Sequence, residues 1–368
     1  MKVLVTGANG FIGKNLISFL SEKKEIEIFS FSKDSTEEDL VRYIKNSDFI
    51  FHLAGVNRPS DKAEFAAVNA GLTEKILNLI KESNKKIPII FSSSTQVELE
   101  NEYGISKSKA EHALLEYSKN MDVPVYIFRM PNVFGKWTKP NYNSVVATFC
   151  HNIARSLPIQ INDPNTEITL VYIDDLIYQF WNILSGEETK SPFVDINPKY
   201  KITLKELADL LYSFRDSRKN LITERVGTGL ARALYSTYMS YLEPASFVYE
   251  IPNYIDQRGV FVEMLKTKDS GQFSFFTAHP GITRGSHYHH SKSEKFLVIK
   301  GKARFGFRHI LTNERHEIIT SGDKFEIVET IPGWTHDITN IGSEEMIVML
   351  WANEIFDRSK PDTYSQKV

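Results

Sequence analysis

From residue 2 to about residue 133, short apolar runs alternate with helix-like stretches. "VLVT", "IEIFSF", "DFIFHLAG", "PIIFSSS" and "VPVYIFRM" are brief, rich in β-branched and aromatic residues, and bounded by Gly, Ser or Asn, so they predict strands. Residues 69–81 and 107–119 between them read as helices. This alternation predicts crossover units and a parallel, doubly wound sheet. Beyond about Gly135 the rhythm loosens. Residues 144–156 and 203–214 predict helices, and "VYIDDLIYQFWNIL" predicts a short strand entering a helix. Residues 136–243 are therefore expected to form a smaller mixed subdomain. From Gly259 onward short strands follow one another, with turn signals at 268–271, 280–281, 300–301, 321–322 and 332–333, the pattern of a β-barrel or jelly roll. The expected domains are residues 1–243 and 244–368.

The length of 368 residues agrees with two or three domains, and 42% hydrophobic with 24% charged residues is an ordinary globular balance. A net charge of −2 with no dense basic tract argues against nucleic acid and gives no electrostatic reason for membrane binding. The single Cys150 excludes an intrachain disulfide and a cysteine-only zinc site. "MKVLVTGANG" breaks its apolar run at Gly7, unlike an export signal, and nothing approaches the roughly 20 apolar residues of a membrane span. A cytoplasmic protein without membrane contact is expected, with a homodimer as the expected assembly.

"VLVTGANGFIG" places Gly7, Gly10 and Gly13 at the turn from the first strand into the first helix. Such glycines allow a tight turn, close approach of the backbone to a pyrophosphate, and close helix–sheet packing. The helix start at Phe11 and Ile12 then offers N–H groups and a positive dipole end to phosphates. After the second strand comes "FSFSKDS": Ser30, Ser32 and Lys33 precede the first acid, Asp34. Hydroxyls and a lysine suit a 2′-phosphate better than a free ribose diol, which favours NADPH. In "FSSSTQVELENEYGISKSKAEHAL", Tyr103 and Lys107 lie four apart and share a helix face. A phenol with a pKa of about 10 serves as acid or base near neutrality only when a cation stabilises its anion. Lys107 is that cation, and Ser94 at the strand end is placed to hydrogen-bond the substrate oxygen.

These residues carry a resemblance. "TGANGFIG", "FHLAG", "FSSS", "YGISK", "RMPNVFG" and "VYIDDL" make residues 1–243 similar to the extended short-chain dehydrogenases/reductases, the group of sugar-nucleotide epimerases, dehydratases and reductases. The resemblance implies a Rossmann-type fold, a Ser94, Tyr103 and Lys107 triad with Tyr103 as proton donor, and cofactor or substrate contacts near His52, Ala54, Asn69 and Asn132. Only eight residues separate Ser94 from Tyr103, fewer than usual in the group, so Thr95 stands as an alternative to Ser94.

"GITRGSHYHHSKSEKFLVIKG" holds three of the ten histidines. His287 and His289 would share one strand face, and Glu294 follows; "IPGWTHDITN" adds His336. Three imidazoles and a carboxylate suit zinc, iron, nickel or manganese, with zinc or iron first. The spacings resemble those of the cupin superfamily, which implies an all-β jelly-roll barrel with His287, His289, Glu294 and His336 as ligands of a divalent metal, zinc above all. Ile331 replaces the proline usual in the second motif, and the gap after Gly322 is longer than typical.

"DQRGVFVE" and "TRGSHYH" also resemble the 3- and 5-epimerases of 4-keto-6-deoxy sugar nucleotides. In those, the histidine at position 287 would be the base. As a ligand it has committed its lone pair, which leaves Tyr288 and Lys295 as candidate bases. Arg258 and Arg284 are placed to meet phosphates, and each is equally read as a surface arginine.

The two-domain order resembles a family of bifunctional enzymes of capsular polysaccharide synthesis. That implies a UDP-linked 4-keto-6-deoxy amino sugar as substrate. The barrel would epimerise C-3 of a UDP-2-acetamido-2,6-dideoxy-4-hexulose and the first domain reduce C-4 with NADPH, toward UDP-N-acetyl-L-fucosamine. The other readings are a single-activity reductase with a structural or dimerising metal-bound barrel, and an NADP-sensing protein.

Overall fold

The computed structural model describes residues 1–56 and 65–368, which divide into two compact units: residues 1–211 with 232–242, and residues 212–231 with 243–368. The second unit thus includes residues 212–231, which the sequence pattern grouped with the first. Among the described residues no helix is long and apolar enough to cross a membrane.

In the first unit β1 (Lys2–Thr6), α1 (Phe11–Leu20), β2 (Glu27–Phe31), α2 (Glu37–Asn46) and β3 (Phe49–His52) alternate regularly. A π-helical turn, Phe65–Gly71, leads into α3 (Leu72–Glu82), and β4 (Ile89–Ser94), α4 (Glu102–Met121) and β5 (Val125–Met130) complete the pattern. The five strands are parallel in the order β2-β1-β3-β4-β5. β3 and β4 are buried along their whole lengths, as central parallel strands covered by helices must be. Leu4, Ile50, Ile89 and Phe91 of the sheet meet Leu40 and Ile44 of α2, Ile76 and Ile80 of α3, and Leu114 and Tyr117 of α4. Local signals agree with this packing. Thr36 and Asp39 form a capping box at α2, and the Asn101 side chain accepts the Gly104 N–H at the start of α4.

Next come β6 (Asn132–Phe134), α5 (Val145–Ala154), β7 (Glu167–Tyr172), α6 (Ile173–Leu184), β8 (Tyr200–Thr203) and α7 (Leu204–Asn220), with β6, β7 and β8 in a separate three-stranded sheet. β9 (Ile222–Thr223) and α8 (Gly229–Met239) follow.

In the second unit the strands are β10 (Asn253–Asp256), β11 (Gly259–Thr267), β12 (Gly271–Ala278), β13 (Thr283–Tyr288), β14 (Glu294–Lys300) and β15 (Lys302–His309). Then come β16 (Arg315–Ser321), β17 (Ile327–Thr330), β18 (Trp334–Asn340), β19 (Met346–Ala352) and β20 (Tyr364–Ser365). One sheet runs β10-β11-β12-β19-β14-β17, with β9 beside β11, and the other β16-β15-β18-β13-β20. Their inner faces close on Phe276, Phe296, Phe305, Phe307, Val348 and Ile338, a core made by alternation along each strand. The architecture is a Rossmann-type doubly wound sheet followed by a cupin-like jelly roll. Each of the five turn signals in the C-terminal half falls at a strand end.

Candidate active site and candidate metal centre

The strand order reverses on either side of β1, and β1 leads into the glycine turn. In doubly wound sheets a crevice opens there, beyond the carboxyl ends of the strands. Gly7 has φ +71°, and a Cβ on it would stand 2.7 Å from the Ala54 nitrogen. Gly10 donates its N–H to the Gly7 carbonyl at 2.9 Å, and a Cβ on Gly13 would lie 2.3 Å from that same oxygen. Backbone alone fits this cradle. Gly10 caps α1 without a side-chain bond and the first turn holds no acid, so the helix start at Phe11 and Ile12 keeps its positive end for an anion. The turn also touches β2, where Ala8 N–H donates to the Phe31 carbonyl at 3.1 Å. Ser32 and the exposed Lys33 follow directly, while Asp34 is drawn toward Asn9 at 3.4 Å.

His52 is buried between two threonines, with Nδ1 2.8 Å from Thr6 Oγ1 and Nε2 2.9 Å from Thr73 Oγ1. Burial, reinforced by the Lys107 charge, pushes its pKa down to about 3. Both ring nitrogens are engaged inside the protein, and its backbone is paired between β1 and β4. Ala54 N–H bonds Thr6 Oγ1 at 3.2 Å, beside Gly7.

Ser94 ends β4 and is buried, whereas Thr95 is exposed. A 3₁₀ turn, Thr95–Glu98, takes up the short connection to α4. It packs so closely on the helix that a Cβ on Gly104 would lie 2.1 Å from the Gln96 carbonyl. Ser94 Oγ accepts the Gln96 N–H of this turn at 3.2 Å and lies close enough to the Tyr103 phenol to act on its acidity. Burial raises the Tyr103 phenol above its ordinary value, with the Ser94 bond opposing. Lys107, one turn further along α4, donates to the Ser92 carbonyl at 2.8 Å. Burial lowers its pKa to about 8, against the pull of the Glu111 carboxylate. Glu111 is itself buried, accepting from Ser93 Oγ at 2.5 Å and from Arg129 Nη2 at 2.7 Å. Asn69 ties Val56 to Ser106 through its side-chain amide. Asn132 donates to the Thr169 carbonyl at 3.3 Å, in the separate three-stranded sheet.

In the barrel, one candidate ligand atom from each of His287, His289, Glu294 and His336 lies within 4.8 Å of the others. A register shift in β13 between Gly285 and His287 makes this possible. Ser286 sits there at φ +60°, and the extra residue turns His287 inward although Arg284, three positions earlier, also faces the interior. Glu294 Oε2 stands 3.3 Å from His289 Nε2 and 3.2 Å from His336 Nε2. Neither His336 ring nitrogen has a hydrogen-bond partner among the described residues, although both are buried. Three imidazole nitrogens and a carboxylate oxygen converging on one point are what a cation requires, so the donor set fits a divalent metal. Burial, aided by the neighbouring His336, pushes His287 down to about 4, which keeps its nitrogen available as a ligand. Glu294 lies well below the carboxylate range; burial opposes this, and the facing His289 and His336 outweigh it. His289 Nδ1 bonds the Asp362 carbonyl, and His289's own carbonyl accepts the Gly333 N–H at 3.0 Å.

A cavity of about 180 Å³ opens on this cluster, lined by His287, Glu294, His336, Arg258, Arg284 and Phe276 among others. Arg258 is held by Asp256, with Nη2 2.6 Å from Oδ2. Arg284 Nε donates to the Thr277 carbonyl at 3.0 Å, but its buried Nη2 has no partner among the described residues. Tyr288 and Lys295, the candidate bases, are directed elsewhere. Tyr288 stacks on Tyr364 at 5.3 Å, and Lys295 pairs with Glu329 at 2.6 Å.

A glycine cradle at a helix start, with a Tyr–Lys pair on α4 of the same sheet, defines a nucleotide-dependent enzyme. Residues 3–197 match the NAD dependent epimerase/dehydratase family, and the chain belongs to it. Residues 254–364 match a polysaccharide biosynthesis C-terminal domain. Over its whole length the chain is 58% identical to UDP-2-acetamido-2,6-beta-L-arabino-hexul-4-ose reductase of Pseudomonas aeruginosa, covering 99% of that protein. It is similar throughout to the crystal structure of the capsular polysaccharide assembling protein CapF from Staphylococcus aureus, with 43% identity, a TM-score of 0.93 and complete coverage of both chains. A CapF structure with the inhibitor 3-isopropenyl-tropolone, 40% identical and again fully covered, superposes with a TM-score of 0.88.

Proposed function

We propose that this chain is a bifunctional sugar-nucleotide enzyme of capsular polysaccharide synthesis. Its substrate is a UDP-2-acetamido-2,6-dideoxy-4-hexulose. The barrel inverts C-3 and the first domain reduces the C-4 ketone with NADPH, on the way to UDP-N-acetyl-L-fucosamine. The first unit, with a substrate subdomain beyond about residue 136, forms the reductase, and the second unit, residues 243–368 joined by 212–231, the epimerase, in a cytoplasmic homodimer.

In the reductase, bound NADPH supplies the hydride. The Gly7 to Gly13 cradle and the start of α1 receive its pyrophosphate, and Ser32 and Lys33 receive the 2′-phosphate. Tyr103 gives its phenolic proton to the C-4 oxygen while Ser94 hydrogen-bonds that oxygen. The Lys107 ammonium stabilises the phenolate left behind. With a pKa near 8 it is still mostly charged at neutral pH.

In the barrel, the chemistry rests on the acidity of a C–H beside a ketone. His287, His289, Glu294 and His336 would hold a divalent metal, zinc in this proposal, which would supply Lewis acidity to that chemistry. Arg284, with Nη2 unpaired, and Arg258 bind the negative charge of the substrate within the cavity.

The observation that carries the two-activity reading is the cavity itself. A structural metal is closed off by its four ligands, whereas here three of the four line an open, arginine-bearing space. The four-ligand count favours the second reading, a single-activity reductase with a metal-braced barrel. The test is a product assay on the UDP-4-keto sugar with NADPH, using the wild type and His287→Ala. The wild type should yield the C-3-inverted alcohol and His287→Ala the uninverted one at a comparable rate of NADPH oxidation. Inversion persisting in a folded His287→Ala protein would refute the epimerase assignment.

A further inference from the structure

Residues 362–366 are bonded to the segment that carries His287 and His289 by contacts that the local sequence does not announce. β20 pairs with β13 so that Ser365 faces His287 and Tyr364 faces Tyr288. Gln366 N–H donates to the Ser286 carbonyl at 3.0 Å, at the bulge that turns His287 inward. Asp362 does more. Its carbonyl takes the Nδ1 side of His289, and its carboxylate accepts the backbone N–H groups of His290 at 2.9 Å, Ser291 at 2.7 Å and Lys292 at 2.9 Å.

The chemistry of such an arrangement is specific. An imidazole with Nδ1–H given to a carbonyl is fixed in the tautomer whose Nε2 lone pair is free, and its ring plane is fixed with it. His289 Nε2 is the atom that faces Glu294. The carboxylate meanwhile anchors the three residues that follow His289, so the chain cannot swing the ring away. Asp362 thus holds the ring through its own main chain and the loop through its side chain.

We propose that the C-terminal segment is a strap whose docking is coupled to metal binding, with Asp362 as the residue that positions His289. The inference rests on the metal reading above. Strap and ion stabilise the same arrangement, so by linkage each tightens the other. Asp362 touches neither substrate nor ion; it is a positioning residue.

The experiment is a Zn²⁺ titration of the metal-free full-length protein against a chromophoric chelator, for the wild type, Asp362→Ala and Asp362→Asn. Asp362→Ala keeps the main-chain carbonyl on His289 but removes the carboxylate that anchors residues 290–292, so Zn²⁺ affinity should fall about tenfold, the lower end of the range for losing an outer partner of a ligating histidine. Asp362→Asn, which keeps an acceptor oxygen, should recover part of that loss. Co²⁺ in place of Zn²⁺ should give an altered visible spectrum in Asp362→Ala, a response that general destabilisation does not produce. In the wild type, hydrogen exchange at the amides of residues 290–292 and 366 should slow on adding Zn²⁺, and this arm decides even if Asp362→Ala does not fold. Equal Zn²⁺ affinity in the wild type and Asp362→Ala overturns the strap, as does metal-independent exchange at those amides. Failure of the wild type to bind Zn²⁺ at all overturns the metal reading and the strap with it.

Discussion

Replacing Glu111 by glutamine tests how the reductase holds its lysine charged. The Glu111 side chain is 3% exposed and receives Ser93 Oγ at 2.5 Å, Arg129 Nε at 3.1 Å and Arg129 Nη2 at 2.7 Å. Breaking a fully buried ion pair by removing one partner costs about 3–5 kcal/mol. Arg129 is 38% exposed, so water can take up its freed guanidinium and the loss should fall to about 2–3 kcal/mol. The second consequence is catalytic. The Glu111 carboxylate opposes the burial that lowers Lys107 to about 8, so without it Lys107 falls further. The ammonium exists below its pKa and is lost as pH rises, so the alkaline limb of the kcat profile should move to lower pH. Urea unfolding and the pH dependence of NADPH oxidation are the two assays. A stability change under about 0.5 kcal/mol together with a superimposable pH profile would refute the reasoning.

Tyr103→Phe removes the proton donor and should lower kcat by about 10²–10⁴-fold while leaving NADPH binding, read by fluorescence, close to wild type. Gly13→Ala puts a methyl 2.3 Å from the Gly7 carbonyl, so the cradle must open by roughly an ångström and NADPH Kd should rise on the order of a hundredfold by calorimetry. His52 is held neutral, with a folded pKa of about 3 against about 6.5 unfolded, so the unfolded chain binds the extra proton between those values and stability is lost as pH falls through that window. From pH 7 to pH 5 that loss is about 2 kcal/mol, and His52→Gln should abolish it in denaturant titrations at the two pH values.

The strands of the parallel sheet were legible because buried strands such as Phe49–His52 and Ile89–Ser94 are unbroken apolar or small runs between polar helices. The glycine cradle was legible for a similar reason, since a backbone-only turn tolerates few other residues. What the sequence hid is what depends on distant contacts. The Thr95–Glu98 turn that follows Ser94 lies against α4 so closely that only a residue without a Cβ fits at position 104. Period-two alternation puts His287 and His289 on one face but separates His287 from Arg284, and only the shifted register after Gly285 brings both to the cavity. Residues 212–231 looked local to the first unit, yet Ile222 and Thr223 pair with Lys266 and Thr267. Asp362 is 73 residues from His289 and carries no motif. Tyr288 and Lys295 were only weak candidates for the base in the sequence; the Tyr288 ring stacks on Tyr364 and Lys295 pairs with Glu329.

The central claim is that the two units act in turn on one 4-keto sugar. It is tested most directly by proton NMR of the UDP-2-acetamido-2,6-dideoxy-4-hexulose incubated with the protein in deuterated water without NADPH. Deuterium should appear at C-3 with the wild type and equally with Tyr103→Phe, and not with His287→Ala. No deuterium at C-3, with the ketone still reduced once NADPH is added, would contradict the account and leave a simple reductase carrying a structural barrel.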